Sequence, residues 1–191
     1  MAEVSIQTVY FEEEGKINTE KTLQIALKRA KELGIDQIGI ATTGGYTALA
    51  AMKVFKGYHP IIVTHVTGFN KPNEQELPLK TRKKLEELGA SVLTCVHSFG
   101  GIGRAVRRKM NTYQIDDIIA ETLRVFGEGT KVCCEITLMA ADAGLINTEK
   151  ETIAIAGTGR GADTALVVKP ANTQNFFDLK VKEILCKPRL D

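Results

Sequence analysis

The stretch IGIATTGGYTALAAMKVF, Ile38 to Phe55, constrains the chain most: a short apolar run meets a Thr-Thr-Gly-Gly turn and then switches to helical periodicity. Ile38 and Ile40 suit a strand buried on both faces, whereas Ala48, Leu49, Met52 and Phe55 recur at helical spacing. Where glycines join a strand to a helix, the first helical amides have no intrahelical partner and the backbone is open to close approach. Thr42, Thr43 and Thr47 add hydroxyls, Gly44 and Gly45 leave space, and Tyr46 follows, so the turn reads as an anion cradle. It has neither the lysine of a Walker loop nor the third glycine of a dinucleotide fingerprint, so it names no ligand. A tight turn capped by threonine is the alternative reading.

The same rhythm recurs along the chain. Residues 4–11 read as an edge strand or arm, and Asn18 or Thr19 caps a helix with Leu23, Ala26, Leu27, Ala30 and Leu33 on one stripe, ended by Gly34. Residues 59–65 give a second buried strand, running into a long polar loop that offers Thr64, His65, Gly68 and Phe69. Pro78 opens the next helix, with Leu85 and Leu88 on its buried stripe, and residues 91–96 form a third strand. A second glycine-rich turn follows, Gly100, Gly101, Ile102 and Gly103, leading to Arg104. Ile115, Ile118, Ile119, Leu123 and Phe126 make one helical stripe, and Thr130 caps a further helix through Ile136 and Met139 to Gly144. Residues 152–157 are the fourth buried strand, ending in the turn that holds Gly157, Thr158, Gly159, Arg160 and Asp163. Residues 164–171 follow closely enough to pair antiparallel with it, and 181–188 add one further edge strand.

Alternating buried strands and crossover helices imply an α/β fold with three α/β/α layers, a mostly parallel doubly wound sheet of about five strands and one antiparallel strand. No linker, repeat or low-complexity tract divides residues 1–191, so one domain is expected. In such sheets ligands bind beyond the carboxyl ends of the strands, so the four loops are expected to line one site for a phosphorylated small molecule. Acidic and basic residues leave a formal charge of +2, and no stacking aromatics alternate with the run from Arg104 to Lys109, which argues against nucleic acid. The opening MAEVSIQTVYFEEEG lacks a basic segment followed by an apolar core, and no apolar run reaches membrane-spanning length, so a cytoplasmic protein without membrane attachment is expected. The four cysteines have no CxxC spacing and read as reduced thiols. The sequence leaves a homo-oligomer open.

The succession IGIATTGGYTALAAMKVFKGYHPIIVT, a third strand, a helical crossover and TIAIAGTGRGADTALVVKP resembles the carboxy-terminal α/β domain of pyruvate kinase over residues 19–170. The whole chain resembles a stand-alone microbial family that has this domain without the catalytic barrel. The resemblance implies that Thr42, Thr43, Gly44, Gly45 and Thr47 hold a phosphate, as the matching turn does for a sugar bisphosphate effector. Gly45 and Tyr46 stand where that turn carries more basic and polar residues. Stand-alone members are associated with flavin mononucleotide (FMN), so the resemblance implies FMN as cofactor, its phosphate at the first turn and its ring among the other loops. Phosphoryl transfer is not expected, because the chain has no room for the barrel.

Three readings follow. The first is an FMN-binding protein acting as a flavin-dependent oxidoreductase, the second a non-catalytic sensor of a phosphorylated metabolite such as a sugar phosphate. The third is a hydrolase or transferase using His65 or His97 as base, for which no nucleophile motif is present. Facing each other, His65 and His97 would form an acid–base pair, although hydrogen-bonded loop histidines are the plainer reading. Cys133 and Cys134 are expected in the first turn of a helix, where the dipole lowers a thiol pKa, yet buried small side chains are favoured there. Glu135 is open between ligand contact and helix capping. Tyr46 and Phe69 suit either ring stacking or core packing. Substituting Gly45→Asp is expected to abolish ligand binding while leaving the fold largely intact.

Overall fold

A computed structural model describes residues 3–189. The strands are β1 (Val9–Phe11), β2 (Gln37–Ala41), β3 (Ile61–Val63), β4 (Ser91–Leu93), β5 (Thr152–Ala156), β6 (Thr164–Lys169) and β7 (Lys180–Pro188). The helices are α1 (Thr19–Leu33), α2 (Tyr46–Val54), α3 (Leu79–Glu87), α4 (Ile102–Met110), α5 (Ile115–Arg124) and α6 (Glu128–Asp142). One sheet runs β1-β7-β6-β5-β2-β3-β4, and only β6 runs antiparallel to its neighbours. The expected three-layer, mostly parallel architecture with one antiparallel strand is present, with seven strands rather than about five. The difference lies at the chain ends. Residues 9–11 pair with 186–188 as a true sheet edge, and the tail strand lies between β1 and β6 rather than at the margin.

Strand alternation distributes the core between two layers. Ile38, Ile40, Ile62, Ile153, Ile155, Ala165 and Val167 face Leu23, Ala26, Ala48, Ala51 and Leu85 of α1 to α3. The opposite face presents Ile61 and Val63 to α6, and further along it Ala154, Ala156, Leu166 and Val168 to Cys133. Small residues on that side, Gly39, Ala41, Ala154 and Ala156, allow a close helix. α6 therefore lies deep, with twelve of its fifteen residues buried, its outer side covered by α5 and Phe176. A Cβ on Gly129 would meet Thr164 Oγ1 at 2.0 Å, which shows how tightly its first turn packs on β6.

Several helix boundaries differ from expectation. α1 ends as expected at Gly34, in the left-handed conformation at φ 67°. α6 starts at Glu128, so Thr130 lies inside its first turn and donates to the Phe126 carbonyl instead of capping. Leu88 is 51% exposed because α3 ends at Glu87. The α5 stripe divides: Ile119 and Leu123 pack inward, whereas Ile115, Ile118 and Phe126 face solvent. No described helix is long and apolar enough to cross a membrane.

Candidate functional site

Strand order reverses between β2 and β5: the chain leaves β2 towards β3 and β4, then returns through α4, α5 and α6 to the other side of β2. A crevice opens where consecutive crossovers part. It is a cleft of about 660 Å3 whose walls include the 42–47 turn, Thr64, His65, Phe69 and the 157–161 turn, with the first half of α6 beside them. That volume falls within the range of small-molecule sites.

The first turn is closed by its own threonine, with the Gly45 N–H donating to Thr42 Oγ1 at 3.2 Å. Gly45 sits at φ 96°, and a Cβ there would lie 2.5 Å from Thr81 Cγ2. Its missing side chain serves packing against α3. The expectation that Gly45→Asp leaves the fold largely intact is thereby overturned, since that residue would be both strained and overpacked. Gly44 has the cleft-facing position: a Cβ would lie 3.7 Å from Arg160 Nη1. Thr43, Tyr46 and Thr47 line the same wall, and Lys16 Nζ stands 4.3 Å from the Tyr46 ring centroid.

The far wall is aromatic. The Phe69 ring lies 4.2 Å from His65 and 5.1 Å from His97 between centroids, with the Arg104 guanidinium 4.7 Å from its centre. The two histidines face each other at 5.5 Å, but each is engaged. His65 Nδ1 lies 2.7 Å from Glu76 Oε2, and the Val66 N–H donates to His97 Nε2. His97 is therefore a neutral ring with its proton on Nδ1, 3.9 Å from Glu135 Oε1. Burial, opposed by nearby Glu135, holds its pKa down to about 4.

α6 contributes groups that the sequence reading left out or left open. Lys131 Nζ donates to Glu135 Oε2 at 2.6 Å, and the other Glu135 oxygen accepts the Phe99 N–H at 3.1 Å. Both side chains are almost fully buried on the cleft wall. The i,i+4 spacing of Lys131 and Glu135 on the stripe of Val132, Ile136 and Met139 was the available signal. Glu128 and Arg124 pair on the same wall. Cys133 and Cys134 sit one turn deeper than expected, and burial raises both thiols, Cys134 to about 12. Cys133 donates to the Ala154 carbonyl, so the buried-residue reading holds and dipole activation does not.

The remaining expected residues divide by location. Gly157, Gly159 and Arg160 line the cleft, as does Gly161. Asp163 does not: it is fully buried and accepts from the Gly15 N–H, the Thr158 N–H and the Thr164 hydroxyl, tying the amino-terminal arm to this turn. The same tie carries Lys16 to the cleft. Thr158 and Gly68 stand outside the lining. Of the second glycine turn only Arg104 reaches the cleft. A Cβ on Gly103 would lie 2.4 Å from the Asp116 carboxylate, Gly101 backs onto Val96, and Ile102 points to solvent. Those glycines serve helix packing.

Charge is distributed unevenly. Five cationic side chains (Lys16, Arg104, Arg124, Lys131, Arg160) line the cleft with two carboxylates, Glu128 and Glu135. The arginines paired with carboxylates among the described residues are Arg29, Arg82, Arg107 and Arg124, which leaves Arg104 and Arg160 available to an anion. Near-neutral composition therefore conceals a cationic cleft. Among the described residues no three His, Cys, Asp or Glu side chains converge on a metal-sized centre.

A model of the pyruvate kinase alpha/beta domain matches residues 20–168. A pyruvate kinase structure from Cryptosporidium parvum is similar at 15% identity, covering 80% of this chain and 23% of its own, with a TM-score of 0.43. A second pyruvate kinase structure from that organism gives 15% identity, 72% and 20% coverage and a TM-score of 0.36. A mutant O-ureido-L-serine synthase with O-ureido-L-serine bound gives 16%, 70% and 49%, with a TM-score of 0.32. The chain spans less than a quarter of the matched pyruvate kinases, and their activity does not transfer with the domain. On the family match, which covers most of its length, the chain belongs to the pyruvate kinase alpha/beta domain family.

Proposed function

We propose that the cleft binds a phosphorylated ligand and that this ligand is FMN. The observation that carries the reading is the pairing, in one cleft, of a helix amino terminus flanked by unpaired cations with a wall of closely packed rings. A phosphate requires backbone amides and guanidinium donors, which the 42–47 turn, Arg160 and Lys16 supply. A flat heteroaromatic ring requires stacking partners, which His65, Phe69 and His97 supply. The residues present therefore fit FMN on both counts. When bound, a flavin supplies two-electron redox chemistry, which makes a flavin-dependent oxidoreductase the reading to test beyond binding. Around it the protein's own groups set the electrostatics: Lys131 and Glu135 hold each other buried, and His97 stays neutral across the physiological range.

A second reading, a sensor of a phosphorylated metabolite such as a sugar phosphate, is favoured by one observation. His97, Glu135 and Lys131 are engaged with one another or with backbone amides, so three of the wall's titratable groups hold structure rather than stand ready for proton transfer, and His65, held through Nδ1 by Glu76, is the imidazole whose Nε2 has no partner among the described residues. The visible spectrum of the purified protein and a fluorescence titration with FMN separate the two. Saturable quenching of flavin fluorescence supports the first. Its absence, together with thermal stabilisation by a sugar bisphosphate, turns the assignment to the second.

A further inference from the structure

The outer face of α5 carries an apolar ridge that none of the described residues covers. Ile115, Ile118 and Val125 are 77%, 59% and 74% exposed. With Thr122 they fall at 3-4-3 spacing, the a and d positions of a helix-packing seam. The inner face of the same helix is also apolar, because Ala120, Ile119 and Leu123 pack with Cys134, Leu138 and Phe99. A surface helix needs one apolar face, and α5 has two. Met110 and Tyr113 extend the ridge at one end and Phe126 at the other, all more than half exposed. A contiguous apolar surface of this kind marks an interface.

We propose that a second copy of this chain covers the ridge, with α5 packed antiparallel on its counterpart across a two-fold axis at the level of residue 120. Three features choose that occupant. A two-fold contact must be self-complementary, and antiparallel alignment sets Ile115 against the partner's Val125 and Ile118 against the partner's Thr122. The exposed Arg108 and Lys109, which end α4 beside the start of α5, are brought towards the partner's Glu121, whose side chain pairs with Arg124 of its own chain yet is 62% exposed and keeps its second oxygen open. The two helix dipoles then run in opposite directions. The contact also bears on the cleft. Arg104 of α4 and Arg124 of α5 line it, while α4 has no buried residue of its own, so the second copy steadies the wall that holds those cations. The inference stands whatever ligand the cleft takes.

Sedimentation velocity on the full chain tests it. The wild-type protein is expected to be a dimer, and Ile118→Glu and Thr122→Lys each a folded monomer by circular dichroism. Mixing the two variants is expected to restore a dimer, because antiparallel register places residue 118 against residue 122 and the new charges attract. A wild-type monomer at the highest soluble concentration overturns the proposal, as does a dimer that survives both substitutions. Two monomeric variants that fail to associate on mixing overturn the antiparallel register. A monomeric wild type that sediments with phosphatidylserine vesicles, and loses this with Ile118→Glu, assigns the ridge to a lipid surface instead. Should either variant unfold, hydrogen exchange on the wild type decides: protection of amides 115–126 must rise with protein concentration, and constant protection refutes the contact.

Discussion

Two glycine-rich turns leave strand ends of the same sheet and enter helices, yet they open on different things. At the 42–47 turn, Gly44 looks into the cleft, with Arg160 as its neighbour 3.7 Å from a Cβ position. At the 100–103 turn, the space beside Gly103 is filled by the Asp116 carboxylate and that beside Gly100 by the Arg104 guanidinium. A glycine allows close approach of any group, including the protein's own. Asp116 also supplies negative charge at the start of α4, where an external anion would otherwise be attracted. Both turns have an unpaired arginine at hand, but only the first also has the open space that a ligand phosphate needs, since Arg104 lies over its own Gly100.

The strongest way to break this comparison lies inside the first turn. Gly45→Asp is expected to destabilise the fold by roughly 4 kcal/mol, from strained backbone plus overpacking against Thr81. A denaturation midpoint equal to that of the wild type would show that the turn is looser than described. Next is the pH dependence that His97 brings to the second loop. The unfolded ring takes a proton as the pH falls through 6.5 and the folded ring only near 4. Stability contributed by the neutral ring is therefore present above about 6.5 and lost as the pH falls across that window, by at most about 3 kcal/mol. His97→Asn is expected to flatten the stability profile between those pH values; an unchanged slope would place the titration elsewhere.

Ligand affinity separates the two turns more finely. Arg160→Ala is expected to weaken FMN binding by roughly 10- to 100-fold, the size of a lost charge-assisted contact to phosphate. Arg104→Ala, acting on the ring wall through Phe69, should cost only about fivefold. Equal losses measured by fluorescence titration would merge the two cations into one anion site. The smallest effect belongs to Gly44→Ala, whose Cβ makes an ordinary contact with Arg160. It should lower affinity a few-fold and leave stability within about 0.5 kcal/mol of wild type.

Much of the fold was legible because β2, β5 and β6 are buried on both faces and read as continuous apolar runs between turn residues. β7 was misplaced because strand neighbours are set by tertiary pairing, which no local pattern in residues 180–188 encodes. The outer residues of α5 were grouped with the inner ones because periodicity reports an apolar stripe without saying what covers it. At the site, the 42–47 turn and Arg160 were readable from glycines and charge at strand ends. Lys131 was missed because a buried lysine needs its partner in view. Lys16 was missed because long-range ties to the 157–163 turn, through Asp163 and through Thr19, bring its segment to the cleft. Gly103 and Asp163 were misread since phosphate cradles and internal packing use the same residue types.

The central claim is that the cleft holds a flavin by its phosphate at the 42–47 turn and Arg160. Comparing dissociation constants for FMN and riboflavin, in wild type and in Arg160→Ala, isolates that phosphate. The expected result is FMN bound at least about 100-fold more tightly than riboflavin by the wild type, with the gap shrinking about tenfold or more in the variant. Equal affinities for FMN and riboflavin in the wild type, or a gap indifferent to Arg160, would contradict the account.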